Sequence, residues 1–206
     1  MAKGYWISRL DVHDTEGYKP YLQGAEPAIA AFGGRFLVRG GTPEALEGTA
    51  RSRNVVVEFK NYDTALACFH SPEYQAAYTH RVASSEGEHL IIEGYEGDQP
   101  ASGTISGPAD GPGTGYWVMR IDVHDMETYK SYVAADAIAI AKYEGWFVVR
   151  GGRHEGVHGA ARSRNVLVAF KDLETALACY HSPEYQAALA FRSKAAVAEV
   201  IAIAGV

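Results

Sequence analysis

Two short constellations carry side chains suited to acid–base or anion-binding chemistry, and each occurs twice. Arg39-Gly40-Gly41 and Arg150-Gly151-Gly152 place an arginine where an apolar run stops against flexible glycines. A guanidinium there can hold a carboxylate or enolate oxygen through its planar fork, or form an ion pair with a nearby acid. His70-Ser71-Pro72-Glu73-Tyr74 returns as His181-Ser182-Pro183-Glu184-Tyr185. Histidine moves protons near neutral pH, and Ser71 and Tyr74, three apart, can share one side of a helix. His13 and His124, each followed by Asp, form a second histidine pair. The competing roles are a turn residue for His13, a helix-end residue for His70 and a packed core aromatic for Tyr74.

Arg51 and Arg53, with Arg162 and Arg164, open the third strand of each repeat. Strand alternation sends both arginines of a pair to one face, where they bind an anion or form ion pairs. His154-Glu155-Gly156-Val157-His158 matches the zinc-protease pattern H-E-x-x-H. That chemistry needs a helix, whereas this run contains glycine and is expected in a loop between strands, so no metal site is assigned. No phosphate-cradling loop or Ser/His/Asp order occurs, and no cofactor is expected.

The positioning elements read as βαββαβ in each repeat. Tyr5–Val12 is a strand, Asp14 caps a helix over 16–32, and Pro27 predicts a kink or an early end to it. Arg35–Arg39 and Asn54–Lys60 are strands around a variable loop. A helix over 62–69 leads to a second one capped by Ser71 with Pro72 at its first position. His89–Tyr95 is the last strand. Strand one has apolar residues on both sides (Trp6 and Leu10, Tyr5 and Ile7), so both sheet faces call for burial.

Everything from Gly4 to Ala77 recurs 111 positions later without a gap, at roughly three-fifths identity. The predicted organisation is a first repeat over 1–96, a Gly/Pro/Ser linker over 97–114 and a second repeat over 115–206. A net charge of −6 offers no footprint for nucleic acid, and no apolar run approaches the roughly 18 residues of a membrane span. The start lacks the apolar segment of a secretory signal, so a cytoplasmic location is expected. Cys68 and Cys179 stand at equivalent positions and read as small buried hydrophobes.

Gly-Tyr-Trp-Ile at the first strand, Phe-Leu-Val-Arg-Gly-Gly at the second and Ser-Pro-Glu-Tyr-Gln at the last helix make each repeat resemble domain of unknown function 1330. That family lies within the dimeric α+β barrel superfamily. The resemblance implies an α+β fold of two ferredoxin-like repeats, which pair as a barrel within one chain. Further homo-dimerisation is left open. The superfamily includes cofactor-free oxygenases, isomerases and haem-degrading enzymes, so kinship does not set an activity. The family pattern has Thr or Ser at His13 and His124, and Trp-Tyr-Asn in place of Cys68-Phe69-His70 and Cys179-Tyr180-His181.

The expected function is a cofactor-independent small-molecule enzyme, an isomerase, cyclase or lyase moving protons on an oxygenated organic acid or aromatic. Its expected catalytic groups are His13, His70, Tyr74, His124, His181 and Tyr185. Its expected substrate-binding groups are Trp6, Arg39, Arg53, Ser71, Trp117, Arg150, Arg164 and Ser182. The alternative is a non-catalytic metabolite-binding or assembly module. The repeats differ at Ser8/Met119, Arg35/Trp146 and Glu58/Ala169, so one pocket, or an asymmetric one, is expected to keep the activity.

Overall fold

The computed structural model describes residues 1–100 and 114–206; most of the expected linker lies outside them. The first repeat runs β1 (Gly4–Val12), α1 (Thr15–Ala31), β2 (Arg35–Arg39), β3 (Glu44–Glu47), β4 (Arg53–Phe59), α2 (Tyr62–His70), α3 (Pro72–Ser84) and β5 (Ser85–Glu93). The second repeats it as β6 (Gly115–Val123), α4 (Met126–Lys142), β7 (Trp146–Arg150), β8 (His154–His158), β9 (Arg164–Phe170), α5 (Leu173–His181), α6 (Pro183–Ala195) and β10 (Ala196–Ala204). Among the described residues no helix is long and apolar enough to cross a membrane.

The chain forms two compact units. Unit 1 contains Met1–Thr42, Arg51–Tyr95 and Gly152–Ala161; unit 2 contains Pro43–Ala50, Glu96–Gly151 and Arg162–Val206. The sheet of unit 1 has the order β2-β4-β1-β5-β8, and that of unit 2 has β3-β10-β6-β9-β7. Every pairing is antiparallel. Four strands of each sheet are the expected ferredoxin-like set. The fifth comes from the other repeat, out of the segment expected to be a variable loop. It covers the edge of β5 or β10, which would otherwise present a row of unpaired backbone groups.

In unit 1 the helices cover the sheet face that carries Trp6, Val57 and Ile91, packed with Phe59, Phe69 and Tyr74. The Trp6 indole N–H donates to the Ala65 carbonyl at 3.0 Å, and Trp117 repeats this to Ala176 at 3.1 Å. Each large apolar ring thus brings its one polar atom to a partner. The other face of β1, with Tyr5 and Ile7, is buried as well, as its two-sided apolar pattern requires. Cys68 and Cys179 are buried free thiols.

Asp14 and Ser71 cap α1 and α3 through the amides of Gly17 and Tyr74. Pro27 does not end α1, which runs 17 residues, as does α4 with Ile138 at that position. The buried contacts of Ala25, Ala28 and Ile29 outweigh the local preference. Past the helix end, Gly33 at φ 69° is matched by Glu144 at φ 54°. A side chain at Gly33 would meet nothing within 4 Å, so the penalty at Glu144 lies in the backbone. Glu144→Gly is therefore expected to stabilise the protein by about 1 kcal/mol. A melting curve that falls or stays put would contradict this.

Candidate active site

His13, His70, His124 and His181 all have exposed side chains. His13 lies in the turn after β1 and His124 after β6; His70 and His181 end α2 and α5. None of them lines the unit 2 cavity in which Arg150 and Arg164 lie. Ser71 and Ser182 are buried and accept the amides of Tyr74 and Tyr185, both at 3.2 Å. Tyr74 packs against Trp6 with ring centroids 4.7 Å apart, and Tyr185 against Trp117 at 4.8 Å. Burial raises both phenols well above their usual range. Each hydroxyl shares a hydrogen bond at 3.1 Å, Tyr74 with Tyr21 and Tyr185 with Tyr132.

Arg51 and Arg53 do not share a face. Strand β4 starts at Arg53, so its alternation does not extend to Arg51. Arg51 pairs instead with Asp11, Glu86 and Glu88 at 2.9–3.5 Å, and Arg162 with Asp122 and Glu199 at 2.9 Å. Arg53 lies over the Tyr18 ring at 5.7 Å, and Arg164 over Tyr129 at 5.6 Å.

Unit 2 contains a small cavity of about 10 Å³, room for about one water molecule, lined by residues of β6, α4, β7 and β9. Its polar groups are Asp136, Arg150, Arg164, Tyr129 and Tyr132; Met119 and Phe147 are among its apolar walls. Two predicted binding arginines therefore meet here, together with Met119, one of the three positions singled out by divergence. The other two mismatches belong to a cross-strand pair. Arg35 and Glu58 form an ion pair at 3.2 Å, which Trp146 and Ala169 replace by apolar contact.

Asp136 is the group that sequence reasoning missed. It is 5% exposed, and its Oδ1 has no hydrogen-bond partner. The Arg150 guanidinium stands 3.9 Å from that oxygen, within ion-pair range but too far for a hydrogen bond. Two opposing effects act on the carboxyl. Burial raises its pKa, and Arg150, the Tyr132 hydroxyl, Arg192 and Arg164 lower it; burial wins, leaving it at about 6. Tyr132 in turn meets the Tyr185 hydroxyl at 3.1 Å.

The same positions in unit 1 differ by a one-residue shift of the acid along the helix. Ala25 stands where unit 2 has Asp136, and Glu26 where it has Ala137. One residue is about 100° of helical rotation, so the acid of unit 1 faces outward. Glu26 there takes both arms of Arg39, at 3.0 and 2.6 Å, on the surface. The ion-pair reading thus fits Arg39, whereas Arg150 keeps a buried acid at a pocket wall. The signal was present in the sequence. Asp136 falls on the buried stripe Tyr129, Tyr132, Asp136, Ala139 of α4, where a carboxylate is out of place.

Each unit also buries an arginine from its last helix, unnoticed in the sequence: Arg81 at 2% and Arg192 at 1% exposure. Arg192 forms a close ion pair with Glu47 of β3, which also accepts the Tyr180 hydroxyl at 2.9 Å. The H-E-x-x-H run is not a loop but strand β8. Its His158 lies opposite His89 of β5. Among the described residues no three His, Cys, Asp or Glu side chains gather as metal ligands.

The chain shares its fold with solved structures at low identity. An anthrone oxidase-like protein aligns with 100% of this chain and 91% of its own at TM-score 0.56 and 13% identity. A mutant chlorite dismutase from Candidatus Nitrospira defluvii aligns with 97% and 90% at TM-score 0.50 and 9% identity. These likenesses establish the fold class alone, an α+β fold of two similar halves. No curated protein matches the sequence. The family described as Domain of unknown function (DUF1330) matches residues 3–95 and again 114–206, so the chain belongs to that family and carries its domain twice.

Proposed function

We propose that unit 2 is a small-molecule enzyme that moves a proton on an oxygenated organic substrate, with Asp136 as general base. The observation that carries this reading is a buried carboxyl near pKa 6 with one oxygen lacking a hydrogen bond, beside Arg150 at the wall of a small cavity. A base of that strength is ionised at neutral pH yet stronger than an ordinary carboxylate. Arg150 and Arg164 hold the oxygen on which charge develops. Asp136 takes a proton from the carbon next to a carbonyl, and the C–H electron pair moves to the carbonyl oxygen as an enolate. The protonated Asp136 then returns the proton to the same or a neighbouring carbon. The step balances without an oxidant, a reductant or a cofactor.

The cavity holds about one water molecule, far below the roughly 300–1,000 Å³ of drug-sized sites, so the proposed substrate is a small ketone, keto acid or phenol-like ring whose entry requires the cavity walls to part. The reading assigns the activity to unit 2, since unit 1 has Ala25 and the outward Arg39–Glu26 pair. The surface histidines hold no proton in this scheme, and Tyr185 acts by orienting Tyr132.

The test is deuterium wash-in from D2O into a panel of small β-keto acids, diketones and phenols, followed by NMR. Exchange is expected to rise with pH to a plateau above about pH 6, as the base ionises. Arg150→Met is expected to weaken substrate binding and move that rise to higher pH, because Arg150 lowers the Asp136 pKa. Binding without exchange across the panel would instead favour the metabolite-binding alternative.

A further inference from the structure

Unit 1 carries a buried cation that the fold leaves uncompensated. In unit 2 the side chain at position 47 of β3 is a glutamate, and it neutralises Arg192. The equivalent position in unit 1 is His158 of β8, and the equivalent arginine is Arg81. Among the described residues Arg81 has no acid partner. It donates to the Tyr78 hydroxyl at 2.9 Å and to the Glu88 carbonyl at 3.4 Å, and its Nε is unpartnered. Beside it His89 is 1% exposed, with both ring nitrogens lacking a partner. A buried imidazole and a buried guanidinium with unused donors call for an occupant.

We propose that unit 1 binds a small monocarboxylate at Arg81, in the place that the Glu47 carboxylate takes in unit 2. One negative charge matches one guanidinium, and the carboxylate geometry is the one its twin site already accepts. Tyr78 accepts from Arg81 through its oxygen, so its own proton stays available to the ligand; unit 2 has Leu189 there. His89 supplies an N–H from β5. Burial and Arg81 lower the pKa of His89 and His158, so both are neutral at pH 7 and neither repels nor replaces the anion. His158, half-buried on the edge strand with its ring against Tyr78 at 6.1 Å, is the outermost member of the group.

The site is independent of the proposed catalytic pocket, and its readout is binding. The whole chain is titrated with sodium formate, acetate and benzoate at constant ionic strength, with chloride as the control, by calorimetry and thermal melting. A carboxylate is expected to bind saturably and to raise Tm by about 5–10 °C at a hundred-fold excess over Kd. His158→Glu builds in the counter-charge; its expected result is a higher Tm without ligand and at least about ten-fold weaker carboxylate binding. Arg81→Gln, if it folds, loses the binding. Arg150→Met, which alters only the unit 2 pocket, keeps it. The proposal is overturned if no carboxylate binds, if His158→Glu binds as well as the parent, or if Arg150→Met abolishes binding.

Discussion

Replacing Asp136 by Asn is expected to remove proton transfer and at the same time make the protein more stable at neutral pH. General-base loss lowers the rate by about 10²–10⁴. The stability effect follows from linkage. The carboxyl has a pKa of about 6 when folded, against 3.8 unperturbed, so between those values the folded state holds a proton that the unfolded state has released. Wild-type stability therefore falls as pH rises from about 4 to 6, by about 3 kcal/mol in total, and stays lower above that range. Asparagine does not titrate and escapes the loss. The variant's advantage should be smallest below pH 4 and full above pH 7, where it corresponds to about 6–12 °C in Tm. A difference between the two proteins that does not change from pH 4 to pH 8 would refute the assignment of a raised pKa to Asp136. A residue that destabilises its fold and faces a pocket is what a site selected for chemistry looks like.

The second large effect is expected at Glu47. Its carboxylate belongs to the first repeat in sequence and to unit 2 in space, where it neutralises the almost fully buried Arg192. Glu47→Gln leaves that guanidinium without its counter-charge, at a cost of about 3–5 kcal/mol. Removing the acid and the base together, as Glu47→Gln with Arg192→Met, should recover most of the loss, because no uncompensated buried charge remains. The double-mutant cycle, read from denaturant melts, measures the coupling directly. Additive losses from the two substitutions would show that the pair does not act as a unit. The matched change in unit 1, His158→Gln, removes no ion pair and is expected to cost far less.

Much of the architecture was legible from residue patterns. The 111-residue echo, the two-sided apolar pattern of β1, and the caps at Asp14 and Ser71 are local or periodic signals, and the structure follows each of them. The exchanged strands β3 and β8 were not legible. Segments such as Glu44–Glu47 and His154–His158 have weak strand character of their own and form strands because a sheet edge of the other repeat offers them hydrogen bonds. The early helix end expected at Pro27 does not occur for the same reason, since a local preference yielded to buried contacts made elsewhere.

At the candidate site the sequence alone determined which side chains exist and which are duplicated: Arg150 and Arg164 could be named as anion holders from their type and their place at strand ends. It also held the substitution of Ala25 by Asp136 on an otherwise apolar helical stripe. Tertiary structure decided what those groups do. Burial sets the pKa of Asp136, helical rotation separates the outward Glu26 from the inward Asp136, and an exchanged strand supplies Glu47 to one buried arginine and His158 to the other. Charge, exposure and partner are properties of a three-dimensional neighbourhood. For Arg39 and Arg150, identical in type and flanking glycines, that neighbourhood makes one a surface ion pair and the other part of a pocket.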